Sequence, residues 1–477
     1  MLSNKLISLL NSFSKVDLNR FEKYLLSPFL NENKEQVKLF NILNEQLRNT
    51  DPDLKLIKKQ EVWRKVFGKT IYNDTLLRRL CSDLTQMALN YLAYKEYKNQ
   101  PLLIETNMLS ATNTPKLDKH FSGILRKAKA RQGELKSRNT VFHYNNFQIE
   151  LNCHKNLEFL GKKRKNFENF VHADYHLDCF YILQKLKNYC DLLGYKNIIS
   201  LEIDITLFPS FLVYVKESKY MEEAAIKAFY LVTEMLLDTE EEKYYHELKK
   251  VLNQRFEEFA YDDLKILYIH LRNYCIDTKI NMGRSDYFKE LFALYKDQVK
   301  SEIIVEDDFI TAQNYKNIIT VALHINEFEW VESFIQKYTD RLPPENQDND
   351  RNYNLAKVYF HQQEYTKVIE QLREVEYKNV IYSLGGKLML LKTYFELKEF
   401  LALDFLVDSF RIYLRRSGKI PKEVKQQYIN ILRFTKKLAD VQPRDQITLL
   451  KIKEQVINCK ALAAKKWLIE KIGEMER

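Results

Sequence analysis

Glycine and proline are scarce in this chain, which has 10 glycines and 9 prolines among its 477 residues. That scarcity leaves little material for the tight turns of an all-β protein, and it predicts long helices with short connections. Hydrophobic residues make up 45% of the sequence, which is enough to build a core and is not typical of a disordered chain. The sequence therefore predicts an all-α fold.

Long hydrophobic runs are missing too, since no stretch approaches the roughly 18 apolar residues that a membrane-spanning helix needs. The apolar run from Leu6 to Leu10 is short, contains Ser8 and is followed by no small-residue cleavage site, so no secretory signal is expected. The six cysteines show no CxxC spacing, as is typical of buried thiols in a reducing compartment. We expect a cytoplasmic protein without membrane insertion.

Motifs for catalysis and cofactor binding are also lacking. Gly68-Lys69-Thr70 matches the end of a phosphate-binding loop, but Trp63 stands where that loop requires a glycine. No serine or cysteine lies in a recognisable nucleophile motif. We therefore expect no cofactor and no enzymatic activity, with an enzymatic helical protein kept as a further alternative.

Charge is distributed unevenly along the chain, whose net charge is +10. Residues 1–200 carry 33 basic and 20 acidic side chains, residues 201–350 carry 17 and 30, and residues 351–477 carry 25 and 15. This basic, acidic, basic order suits pairing between distant parts of an elongated protein, or a partner with its own charge pattern. Solvated helix faces explain it equally well.

Three aromatic residues recur at nearly equal intervals, because Phe328, Tyr365 and Phe400 are 37 and 35 residues apart. Other positions keep fixed distances from them: Ala322, Tyr359 and Tyr394 lie six residues before, and Val331, Val368 and Leu403 lie three residues after. The pattern resembles the tetratricopeptide repeat over about residues 307–415, although bulky Ile319 and Leu391 replace the small residue of that family. The resemblance implies a helical-repeat α-α superhelix, a solenoid of stacked helix pairs; separate helical bundles fit the same periodicity.

Four segments follow from the helical periodicity and the positions of turn residues. Residues 1–100 are predicted to form an N-terminal helical module, and residues 101–116, which include Pro101 and Pro115, a linker. Residues 117–300 are predicted to form helical hairpins of divergent repeats. Residues 301–477 are predicted to contain the tetratricopeptide-like repeats and C-terminal helices.

The resemblance also implies a binding surface, because the first helices of such repeats line the concave face. Their polar positions here are Asn317, Thr320, His324, Asn354, Lys357, His361, Lys392 and Glu396. Amides, imidazoles and lysines suit an acidic or extended peptide, although a merely solvated inner face would be polar too. The leading interpretation is a non-catalytic scaffold that binds a protein or peptide partner of unknown identity.

Two further groups of residues support alternative functions. Lys162, Lys163, Arg164 and Lys165 can contact phosphates, so nucleic-acid binding through the basic flanks is the first alternative, and a solvated face is the simpler interpretation. His172, His176 and Cys179 share one stripe of a predicted helix, where imidazole and thiolate can hold a metal ion. The sequence shows no ligand from another helix, so no metal site is predicted, and a metal-binding helical protein stays a further alternative beside the enzymatic one.

Overall fold

The computed structural model describes residues 4–48, 58–161, 167–196, 207–306, 308–344, 347–375, 380–442 and 445–476. It is 80% helical, with 23 α-helices among the described residues, so the predicted all-α fold is confirmed. A short antiparallel hairpin joins β1 (Val305–Glu306) to β2 (Phe309–Ile310). None of the described helices combines the length and apolar character required to span a membrane.

The chain divides into two units, of which the first comprises Met1–Lys187 and Ser218–Ile226. Its helices are α1 (Asn4–Asn11), α2 (Lys15–Leu25), α3 (Lys34–Arg48), α4 (Lys59–Phe67), α5 (Asp74–Lys98), α6 (Pro101–Thr112), α7 (Asp118–Glu134), α8 (Thr140–Phe159) and most of α9 (Glu168–Lys196). Helix α2 begins after Ser14, whose hydroxyl oxygen accepts the Asp17 N–H at 3.1 Å. The five helices α1, α2, α3, α4 and α5 share one core, which includes Phe21, Phe40 and Leu84.

The segment predicted as a linker, residues 101–116, instead contains helix α6. Pro101 lies in the first turn of α6, where its missing N–H would have had no intrahelical partner. Leu102 and Leu109 are buried and share a core with Phe121 of α7 and Ile149 of α8. The proline therefore begins a packed helix rather than an extended connection.

The second unit comprises Asn188–Glu217 and Lys227–Arg477. Its helices, apart from the end of α9, are α10 (Phe208–Glu217), α11 (Ala224–Leu237, which begins in the first unit), α12 (Lys243–Arg255), α13 (Tyr261–Asn273), α14 (Tyr287–Lys300), α15 (Ala312–His324), α16 (Phe328–Tyr338), α17 (Gln347–His361), α18 (Tyr365–Arg373), α19 (Val380–Glu396), α20 (Phe400–Arg416), α21 (Lys422–Ala439), α22 (Gln446–Asn458) and α23 (Lys465–Met475). A π-helical segment, Tyr274–Ile280, follows α13.

The three recurring aromatic residues are each the first residue of a helix, namely α16, α18 and α20. Two positions earlier the backbone adopts a positive φ, at 63° for Asn326, 62° for Gln363 and 58° for Lys398. The next N–H then bonds to the carbonyl five residues back: Glu327 to Ala322 at 3.0 Å, Glu364 to Tyr359 at 2.8 Å and Glu399 to Tyr394 at 2.9 Å. These bonds are those of a Schellman motif, so α15, α17 and α19 all end in the same turn.

Each of these three helices packs against the helix that follows it and against the helix after that. Thus α15 contacts α16 and α17, α17 contacts α18 and α19, and α19 contacts α20 and α21. Ala356 of α17 and Val368 of α18 are fully buried in one shared core, and Leu391 of α19 and Leu403 of α20 are buried in another. The helices α15, α17 and α19 therefore contact one another in turn, α15 against α17 and α17 against α19.

Candidate functional site

A groove with a volume of about 680 Å³ lies along α15, α17 and α19, and α23 forms part of its wall. That volume falls within the range of about 300–1,000 Å³ that is usual for ligand sites. Five of the eight predicted binding residues line it: Thr320, Lys357, His361, Lys392 and Glu396. The structure therefore brings together polar residues from three alternate helices, α15, α17 and α19, which were predicted to share one face.

Two lysines of the groove lie against aromatic rings. The Nζ atom of Lys357 is 5.0 Å from the ring centroid of Tyr353, and that of Lys392 is 5.8 Å from the ring of Phe360 and 5.5 Å from the ring of Trp467. Within the described part of the chain neither ammonium forms an ion pair with a carboxylate. Contacts of a cation with a ring face stabilise the charge without neutralising it.

The groove walls remove water from both ammonium groups. Burial lowers the pKa of Lys357 to about 8; the positive charge of Lys316 adds to this effect and Asp350 opposes it. Burial also lowers the pKa of Lys392, against the influence of Glu470 and Glu396. A partly desolvated cation attracts an anion more strongly than one in bulk water, because the effective dielectric constant is lower.

The carboxylates of the groove differ from these lysines because they already have partners. Glu396 Oε1 accepts the indole N–H of Trp467 at 3.1 Å and lies 2.9 Å from Lys471 Nζ. Lys471 also contacts Glu474 at 2.7 Å. The negative charges near α23 are therefore largely compensated locally, which leaves the positive charges of Lys357 and Lys392 available to a ligand.

The other two predicted residues in the groove add hydrogen-bonding capacity. The groove walls, followed by the charges of Lys392 and Lys357, hold the pKa of His361 below its usual value. Its imidazole is therefore neutral near pH 7 and offers one donor and one acceptor. The hydroxyl of Thr320 donates to the Lys316 carbonyl at 2.7 Å, so its oxygen remains available as an acceptor.

Three predicted binding residues lie outside the groove. Asn354 is 0% exposed, and its buried amide donates at 2.8 Å to the Asp350 carbonyl. Asn317 is half-buried and accepts from Gln313 at 2.8 Å. His324 is exposed, and its ring centroid lies 3.7 Å from that of Phe288 on α14. Asn354 therefore belongs to the core rather than to a binding face.

Several groove residues were missed by the sequence analysis. Tyr353 and Phe360 of α17 and Trp467 and Lys471 of α23 all line the groove. The two aromatic residues of α17 precede and follow Lys357 at spacings of four and three, which is a detectable signal on a helix. Helix α23 lies beyond the repeat pattern, and nothing in its sequence indicates that it returns to α19.

The structure describes only one of the two groups of residues that support the alternative functions. Lys162, Lys163, Arg164 and Lys165 lie outside the described residues. On α9, His172 is exposed, Cys179 is buried, and His176 Nδ1 lies 3.1 Å from Nδ1 of His143 on α8. Cys179 also lies close to His143 and to Glu223 of the segment before α11, and these two residues were not among the predicted ligands.

No protein-family model, no curated protein and no solved structure matches the sequence or fold of this chain.

Proposed function

We propose that this chain is a non-catalytic, tetratricopeptide-like scaffold whose groove binds an acidic peptide segment of a partner protein. The observation that carries the proposal is the pair Lys357 and Lys392. They come from successive first helices, lie against aromatic rings and form no ion pair within the described residues. An anionic ligand would compensate charges that the fold leaves uncompensated.

The superhelical arrangement is part of the same proposal. It is supported by the three equal turns after α15, α17 and α19, and by the contacts between successive first helices. A repeat protein of this kind buries the apolar face of each helix pair against its neighbours, and the first helices form an extended concave surface. The groove lies on those helices, which is where a peptide ligand would bind.

A peptide fits the groove better than a small anion because the lining combines several kinds of contact. Lys357 and Lys392 provide charge for carboxylates, and Thr320 and His361 provide hydrogen bonds. The partly exposed ring of Phe360 provides apolar area for the aliphatic parts of a bound segment. Recognition of an acidic motif by clustered cations is one of the recurring modes of peptide binding.

The experiment is a selection from random octapeptides on the immobilised full-length chain, followed by sequencing of the retained peptides. We expect enrichment of aspartate and glutamate, and we expect at least tenfold weaker binding of the enriched peptides when Lys357→Met and Lys392→Met are combined. Lys466→Met is the matched control, because Lys466 lies at the groove but its side chain is 88% exposed.

Retention of neutral or basic peptides would contradict the proposal, as would unchanged binding to the double variant. A parallel arm offers single-stranded RNA and DNA oligonucleotides at near-physiological salt. Oligonucleotide binding that survives there while no peptide is retained would favour the nucleic-acid alternative, since such binding normally weakens steeply as salt releases phosphate counterions.

A further inference from the structure

A buried cluster of metal-ligating side chains lies in the first unit, outside the groove. His143 on α8, Cys179 on α9 and Glu223 before α11 place one nitrogen, one sulfur and one carboxylate oxygen within 4.8 Å of one another. His143 and Cys179 are 0% exposed and Glu223 is 5% exposed. Three elements distant in sequence therefore bring three different ligand types to one point in the interior.

Two atoms of this cluster have no hydrogen-bond partner. His143 Nε2 and Glu223 Oε2 are buried, face each other at 4.0 Å, and are both unpaired within the described residues. A buried acceptor without a partner costs about 1–3 kcal/mol, so native structures seldom retain two of them side by side. The thiol sulfur of Cys179 lies within 4.8 Å of a ligand atom of each of these two side chains.

The remaining atoms of the same side chains are held by neighbours. Glu223 Oε1 accepts the Tyr175 hydroxyl at 2.7 Å and the Arg138 guanidinium at 3.2 Å. His143 Nδ1 lies 3.1 Å from His176 Nδ1. When His143 donates through Nδ1–H, its Nε2 carries the lone pair that a metal requires, and such outer hydrogen bonds commonly orient metal-binding histidines.

We propose that His143 Nε2, Cys179 Sγ and Glu223 Oε2 form a binding site for one zinc ion. Imidazole, thiolate and carboxylate are all ligands of Zn²⁺, whereas Mg²⁺ and Ca²⁺ prefer oxygen ligands alone. Three protein ligands leave one position of the tetrahedron for a water molecule. His176, Tyr175 and Arg138 are positioning residues, since they contact the ligands rather than the ion.

Binding of the ion releases a proton and changes the charge of the proposed site. Cys179 loses its thiol proton to solvent as the sulfur–zinc bond forms, so each ion bound releases one proton. The thiolate and the Glu223 carboxylate then offset the two positive charges of the ion, and the half-exposed Arg138 guanidinium leaves the cluster with one net positive charge. His143 binds as the neutral imidazole, and Arg138 keeps its contact with the other carboxylate oxygen.

The residues of α9 alone do not define this cluster, because His172 is exposed and lies one turn before His176. Cys179 is a proposed ligand, His176 is one of its outer partners, and His172 takes no part. His172→Ala is therefore a matched control on the same helix. Cys153→Ser is a second control, since Cys153 is another buried thiol of the first unit.

The test uses the full-length chain after removal of metal with a chelator, titrated with Co²⁺ as a spectroscopic substitute for Zn²⁺. We expect one equivalent to bind, with thiolate-to-cobalt absorption in the near ultraviolet and full displacement by one equivalent of Zn²⁺. Cys179→Ser should abolish that absorption, His143→Gln and Glu223→Gln should weaken binding at least tenfold, and both controls should bind as the parent does.

The parent chain alone can overturn the proposal, so the test does not depend on folded variants. Binding of no cobalt, or of cobalt without thiolate absorption, would show that Cys179 is not a ligand. Thiolate absorption that persists in folded Cys179→Ser, as judged by circular dichroism, would place the metal at another cysteine. Binding that is unaffected by folded His143→Gln and Glu223→Gln would exclude the proposed ligand set.

Discussion

Replacing Lys357 with methionine is expected to raise the free energy of unfolding at pH 7 by about 2 kcal/mol. Burial holds the pKa of this lysine at about 8, against an ordinary value of 10.5, so folding is opposed by the charged form of the side chain. The shift corresponds to about 3 kcal/mol. Partial exposure and the lost contact with the Tyr353 ring reduce the expected gain.

The gain from Lys357→Met should depend on pH in a defined direction. Between about pH 8 and pH 10.5 the folded parent has released the Lys357 proton while the unfolded chain still holds it, so the parent becomes more stable as pH rises. The difference in free energy of unfolding between variant and parent should therefore be constant below about pH 8 and become smaller above it. Urea unfolding at pH 7, 8.5 and 9.5 measures this difference.

Lys466→Met is the control for this prediction, because an exposed lysine should change the free energy of unfolding by less than about 0.5 kcal/mol. A destabilised Lys357→Met variant, or a difference that does not change with pH, would mean that Lys357 is not a desolvated cation. Because the variant is expected to be more stable than the parent, any loss of peptide binding it shows cannot be attributed to unfolding.

Gly385→Ala is expected to lower the free energy of unfolding by about 2 kcal/mol, although alanine normally stabilises a helix by about 0.5–1 kcal/mol relative to glycine. A Cβ atom at this position of α19 would lie 2.1 Å from the Tyr353 hydroxyl oxygen. Tyr353 is 4% exposed and its ring packs 4.9 Å from that of Tyr382, so it cannot move aside freely. Thermal unfolding followed by circular dichroism measures the effect.

Gly473→Ala in α23 is the matched control, because nothing lies within 4 Å of a Cβ atom there. This control should be stabilised, so the two alanine substitutions should change the free energy of unfolding in opposite directions. Adding Tyr353→Phe to Gly385→Ala removes the nearest clashing atom and should recover part of the loss. Equal stabilisation of both alanine variants would show that α17 and α19 do not approach each other as described.

Much of the second unit could be predicted from local sequence. Phe328, Tyr365 and Phe400 mark helix starts because the residues before them end a helix in the same turn. The polar positions of the first helices follow from the resemblance to the tetratricopeptide repeat, and five of them line the groove. Asn354 shows the limit of that reasoning, since a polar residue whose amide bonds to a carbonyl one turn earlier can lie in the core.

Features that depend on packing between distant segments could not be predicted. Trp467 and Lys471 reach Glu396 from a helix beyond the repeats, and no local pattern indicates that contact. His143 and Glu223 approach Cys179 from different elements for the same reason. Pro101 was misleading because proline is tolerated in the first turn of a helix as well as in a linker. In each case the deciding information is tertiary contact.

Zero-length crosslinking tests the central claim most directly, since a carbodiimide joins a carboxylate to an amine only when the two are in contact. Octapeptides rich in aspartate and glutamate would be bound to the full-length chain, crosslinked and located by mass spectrometry. The account predicts amide bonds to Lys357 or Lys392, both of which line the groove. Crosslinks confined to lysines outside the groove would contradict it.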